Sequence, residues 1–177
     1  MTIEEIDCII TLESEDQDLQ LNMTINYIGG INIIKKILLI ILRILSIPYA
    51  YSVIAVTLIH RYFTHTHNIK PPFWEIVELW KGNEEILFDI SANIIMFIPL
   101  GFFLPICFRK ADNIKKIALI GFLVSLSIEI IQLITTLGFF EIDDMFHNTL
   151  GTMLGALIGC PLSRWLYSES KEKDTKN

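Results

Sequence analysis

Four apolar runs, each long enough to cross a lipid bilayer, constrain this chain more than anything else in it: Ile37–Ile59, Ile90–Phe108, Ile117–Leu137 and Met145–Leu166. A helix needs about 20 mostly apolar residues to traverse ~30 Å of hydrocarbon. A soluble domain of 177 residues, 52% of them hydrophobic, has no single core that would bury four such elements. The pattern predicts an all-α integral membrane bundle of four transmembrane helices, with no strands. Pro48, Pro99 and Pro105 fall inside the first two spans, where a bundle tolerates them because neighbouring groups re-satisfy the freed carbonyls.

Charge divides the chain into three parts. Seven acids (Glu4, Glu5, Asp7, Glu13, Glu15, Asp16 and Asp18) account for the net charge of −6. Residues 1–34 therefore read as an acidic cytoplasmic tail, poorly ordered or partly helical. Residues 35–167 form the four-helix membrane domain, and residues 168–177 a cytoplasmic C-terminal tail. The acidic start lacks a basic segment before an apolar core, so the first span is expected to insert as an uncleaved anchor.

Ten of the fourteen Lys and Arg residues sit at one side: Lys35, Lys36, Arg109, Lys110, Lys115, Lys116, Arg164, Lys171, Lys173 and Lys176. The bias of Lys and Arg toward the cytoplasm predicts a multi-pass cell-membrane protein with both termini inside. The connections His60–Asp89 and Gly138–Asp144 then lie outside. In the first of these, Pro71-Pro72 opens a short helix whose Phe73, Val77 and Trp80 share a face suited to the membrane interface.

Several functional classes lack their residues. No basic stripe with interleaved aromatics supports nucleic-acid binding. Cys8, Cys107 and Cys160 have no metal-binding spacing and read as reduced or buried thiols. His60, His65, His67 and His147 form no HExxH pattern, so neither a metal nor any other cofactor is expected.

Glu129 is the most informative single residue. The thirteen Ile, Leu, Val and Phe residues of Ile117–Leu137 favour insertion by about 5 kcal/mol. A central acid opposes this by about 2.5–3.5 kcal/mol, so it is tolerated at a cost. At ~1.5 Å per residue it sits ~18 Å up a ~30 Å core, in the outer half. Ser125 and Gln132 share its face and make a polar stripe directed into the bundle. Asp143 and Asp144 open the fourth span, where either suits a helix cap, and Asn148 follows one turn later. Gly151, Gly155 and Gly159 recur every four residues as a seam for close helix packing. Arg61, Asn93, Glu129, Gln132, Asp143, Asp144 and Asn148 thus converge on the outer side as candidate ligand-binding residues, with Glu129 and Asp144 the candidates for any acid–base chemistry.

These residues carry a resemblance. Arg61 with Asn68-Ile69-Lys70-Pro71-Pro72-Phe73, Asn93-Ile94-Ile95-Met96-Phe97-Ile98-Pro99-Leu100-Gly101, Ser127-Ile128-Glu129-Ile130-Ile131-Gln132, and Ile142-Asp143-Asp144 with Asn148-Thr149-Leu150-Gly151 stand in the order and spacing of the VanZ-like family. The resemblance runs from about Arg61 to Leu166 and implies association with low-level resistance to teicoplanin. Family members often carry an Arg just before the acidic motif, where this chain has Leu137-Gly138-Phe139-Phe140. That departure leaves Arg61 as the one cation expected near the acids.

Three functions are compatible with this pattern. The first is an outward-facing polar pocket for a lipid-linked envelope precursor or a lipoglycopeptide, set among membrane lipids. The second is a membrane-embedded acid–base enzyme using Glu129 and Asp144. The third is a structural component whose polar residues only lock helices together. Geometry separates the first two: an acid–base pair must face one cavity.

Overall fold

The computed structural model describes residues 3–59 and 69–168, with side chains from Leu19 onward except at positions 25, 26 and 28. The elements in order are helix α1 (Ile3–Ile54) ending in a π-helical turn (Ala55–Ile59), strand β1 (Ile69–Lys70), helix α2 (Trp74–Trp80), helix α3 (Glu85–Cys107), helix α4 (Ile114–Thr135), strand β2 (Phe140–Glu141) and helix α5 (Ile142–Leu166). Contacts divide the chain into two units, Met1–Ile40 and Ile41–Asn177, and the site lies wholly in the second.

Three helical stretches are long and apolar enough to cross a membrane: Leu19–Ile59, Glu85–Cys107 and Ile114–Thr135. The segment expected to be a fourth span forms α5, a 25-residue helix whose composition is more polar than theirs and which is not among the three. The reason is its position. α5 is packed against α3 and α4, and buries Asp143, Asp144, Asn148, Thr152 and Ser163 along with its glycines. Only that face is enclosed: Phe146, Leu150, Leu154, Leu157, Ile158 and Trp165 stay exposed on the other side, so the polar residues of α5 are confined to its packed face.

The glycine seam sets the α3–α5 distance. A Cβ on Gly155 would overlap the Ile98 carbonyl, one on Gly151 the Ile94 carbonyl, and one on Gly101 the Thr152 carbonyl. Backbone thus meets backbone, as small-residue interfaces allow. Side chains from other elements reach the carbonyls of α3, two of them in its last turn, where a helix leaves carbonyls without an intrahelical partner. Tyr49 donates to Met96 O at 2.8 Å, Ser163 to Pro105 O at 2.6 Å and Tyr167 to Ile106 O at 2.7 Å. Arg43 donates to the Tyr167 hydroxyl at 2.7 Å.

Two expectations are corrected. The chain is not strand-free: β1 and β2 pair in parallel, with Ile69 opposite Phe140 and Lys70 opposite Glu141. Neither Asp143 nor Asp144 caps α5. Its N-cap is Glu141, and both aspartates fall in the first turn. There they still complement the helix dipole, but their hydrogen bonds go to other elements.

Candidate functional site

The site is assembled where the π-helical turn, α2, the start of α3, the end of α4 and the start of α5 meet. Its foundation is the polar stripe of α4, where Ser125, Glu129 and Gln132 are all buried. Gln132 Nε2 donates to Thr57 O at 2.8 Å and ties α4 to the π-helical turn. Ser125 Oγ accepts from Asn148 Nδ2 at 2.8 Å and ties α4 to α5. Glu129 Oε2 accepts from the backbone N–H of Glu141 at 2.8 Å. A buried carboxylate that holds a backbone amide fixes the chain entering α5.

That anchor propagates. With Glu141 held, the β1–β2 pairing sets Lys70 beside it, and Lys70 Nζ lies 3.0 Å from Glu141 Oε1. The other Glu141 oxygen accepts from Trp74 Nε1 at 3.1 Å, while the Lys70 ammonium sits 3.5 Å over the Trp74 ring. Phe73 adopts a left-handed conformation (φ 62°), uncommon for a residue with a side chain. Its N–H donates to Asp143 Oδ1 at 2.8 Å, which holds the turn that aims α2. Phe73, Val77 and Trp80 are all exposed. The opposite side of α2 delivers Glu75, only 3% exposed, among the acids of α5.

Asn93 and Asp144 are joined, Asn93 Nδ2 donating to Asp144 Oδ1 at 2.7 Å. Both line a cavity of about 390 Å³ together with Lys70, Trp74, Glu75, Asp89 and Glu141, among others. Its lining carries four carboxylates and one ammonium, so its field is negative. A second cavity, about 500 Å³ and almost entirely apolar, lies alongside between the first-span segment, α3 and α4. Val53, Ile54 and Leu58 face the apolar cavity, and Val56 and Thr57 face the polar one.

Of the residues singled out from sequence, Asn93 and Asp144 line the polar cavity, and Asp143 holds its rim through Phe73. Glu129, Gln132 and Asn148 do not line it; they brace the elements behind it. Among the described residues, then, Asp144 lines the polar cavity and Glu129 does not. Arg61, together with His60, His65 and His67, lies outside the described residues. The expectation that Arg61 is the one cation near the acids is corrected by Lys70.

Sequence reasoning missed Glu75 and Lys70 because charged residues in a polar connection look solvated. One signal was available for Glu75. A short helix with its aromatic and apolar residues on one face turns the residue opposite them inward.

The crowding at Glu75 has a measurable consequence. Its carboxyl is pushed from the ordinary 4.5 up to about 7, first by burial, then by the charges of Asp144, Asp143 and Glu141, against a lowering by Lys70. An acid with a raised pKa contributes stability that is fully present below about pH 4.5 and lost as pH rises through about 7. In chelator-treated protein, the wild-type unfolding temperature should fall across that window more steeply than that of Glu75→Gln. Parallel curves for the two proteins would show that Glu75 is not held in this environment.

The VanZ/LLP1 family profile matches residues 22–164, a longer stretch than the landmark motifs alone cover. Protein VanZ of Enterococcus faecium is 40% identical over 67 residues, which make up 38% of this chain and 41% of that protein. The match thus spans about two fifths of that relative's length. No solved structure matches the chain. With its motifs, its apolar helices and a profile match over most of its length, this chain belongs to the VanZ/LLP1 family.

Proposed function

We propose that this chain is a four-span membrane protein that lowers glycopeptide susceptibility, teicoplanin included, by binding a lipid-linked or lipophilic envelope molecule in an outward-facing pocket. In this reading α5 is the fourth span, both termini are cytoplasmic, and α2 rests in the outer interface on Phe73, Val77 and Trp80. The observation that carries the reading is the pairing of two cavities along Val53–Leu58, one polar and one apolar. A lipid-linked molecule has that same division, with a head that needs hydrogen bonds and a chain that needs apolar walls. The excess of carboxylates favours a head rich in hydroxyl or amine donors over the anionic head that Arg61 alone would suggest. The resemblance to Protein VanZ supports the link to resistance.

Ala92 tests the pocket. It is exposed and lines the polar cavity, so Ala92→Trp fills the space without deleting a polar group. Expressed at wild-type abundance in a sensitive host, Ala92→Trp should return teicoplanin susceptibility to that of cells lacking the protein. Undiminished protection by this variant would remove the pocket from the mechanism.

A further inference from the structure

We propose that Glu75, Asp144 and His147 form a binding site for one divalent transition-metal ion, of which zinc is the representative probe. One ligand atom from each side chain lies within 4.8 Å of the other two. Asp144 and His147 are three residues apart on α5, a spacing that turns two side chains to one helix face. Glu75 arrives from α2 on the opposite wall. In a tetrahedral zinc site with bonds of ~2.1 Å, neighbouring donor atoms stand ~3.4 Å apart. His147 Nδ1 and Glu75 Oε2 already stand 3.4 Å apart.

The pattern of satisfied and unsatisfied atoms points the same way. His147 Nδ1 is buried and makes no hydrogen bond among the described residues. Among the described residues Asp143 Oδ2 is also buried without a partner, on a residue only 5% exposed whose charge acts on both Glu75 and His147. A buried acceptor left in this state is costly, and a cation held by Glu75, Asp144 and His147 would satisfy His147 Nδ1 within the field of Asp143. Among the described residues, Lys70 is the cation paired to this cluster, and its ammonium is already engaged by Glu141 and the Trp74 ring.

The donor set selects the class of ion. One imidazole with two carboxylates suits zinc, manganese or iron, whereas magnesium and calcium prefer oxygen ligands alone. Three protein ligands also leave a coordination position open. Because Glu75 and Asp144 line the polar cavity, that position lies at its wall. The ion would also clip α2 to α5 at the residues that shape the cavity.

The test uses the full chain in detergent, stripped with chelator, loaded with zinc chloride and desalted. Bound metal is counted by elemental analysis, and affinity is read by competition with a chromophoric zinc chelator in excess magnesium. One zinc per chain is expected, with affinity reduced at least tenfold in Glu75→Gln, Asp144→Asn and His147→Asn. Asp144→Asn also disturbs the bond from Asn93, so His147→Asn, which deletes no hydrogen bond found among the described residues, keeps the test decisive if that variant misfolds. Zinc X-ray absorption should show one imidazole ligand in wild type and none in His147→Asn. Zinc that is not retained, or is retained equally by His147→Asn, overturns the proposal. The measurement reads metal and not resistance, so its failure would leave the lipid-binding reading standing, and the reverse holds as well.

Discussion

Gly155→Val is expected to abolish recovery of folded protein. A Cβ at this position overlaps the Ile98 carbonyl oxygen and comes within 2.8 Å of Phe102 N, both of them backbone atoms of α3. Side chains can rotate away from an added methyl group, and overpacking of that kind costs about 1–3 kcal/mol. A helical backbone cannot rotate away, so the cost exceeds that range and approaches the ~5–15 kcal/mol that holds a typical domain together. Gly151 and Gly159 meet α3 in the same way, so the seam cannot slide to relieve one position. Gly30→Ala is the control, because nothing lies within 4 Å of its added Cβ. That control should match or exceed wild type, since alanine is favoured in a helix by about 1 kcal/mol. The yield of monodisperse protein after detergent extraction, followed by thermal unfolding, reads both. A Gly155→Val protein as stable as wild type would disprove the backbone-to-backbone contact.

The second large effect is expected at Glu129, and it depends on the replacement. Glu129→Leu removes the acceptor for the Glu141 N–H and leaves a buried amide unsatisfied, at a cost of about 1–3 kcal/mol. It should also release the 139–141 segment that positions Lys70 and Trp74, and so weaken protection against teicoplanin beyond any loss of abundance. Glu129→Gln keeps an amide oxygen in place and should cost less than about 1 kcal/mol. Protection per molecule should then be close to wild type. If Glu129→Gln abolished protection at unchanged abundance, the charge or the proton of Glu129 would be needed, and its role would go beyond holding the Glu141 N–H.

These expectations show which parts of the molecule are legible in the sequence. The inward direction of Ser125, Glu129 and Gln132 follows from helical spacing within an apolar run, because a bilayer offers those groups no other partners. The glycine seam is legible for a similar reason. A repeat of four residues stacks along one helix face whatever packs against it, although that partner, α3, is not named by the repeat. The roles of Asp143 and Asp144 are different. Their position at the start of α5 suggests caps, but their partners come from α2 and α3, elements that no local pattern brings near.

The sequence by itself determined the membrane class, the helices, the polar face of α4, the glycine seam and the gathering of polar groups at one end of the bundle. All of these are recorded in hydropathy and period, which are properties of a chain and its solvent. Only the tertiary structure decided that Glu129 accepts from the backbone N–H of Glu141. It also decided that Lys70 and Glu75 belong to the site, and that the polar face of α5 is the one packed against α3 and α4. The physical reason is common to these cases. A charged or polar residue in a sequence carries no mark of its partner, and the partner here is set by a two-residue strand pair, a left-handed Phe73 and a close helix crossing.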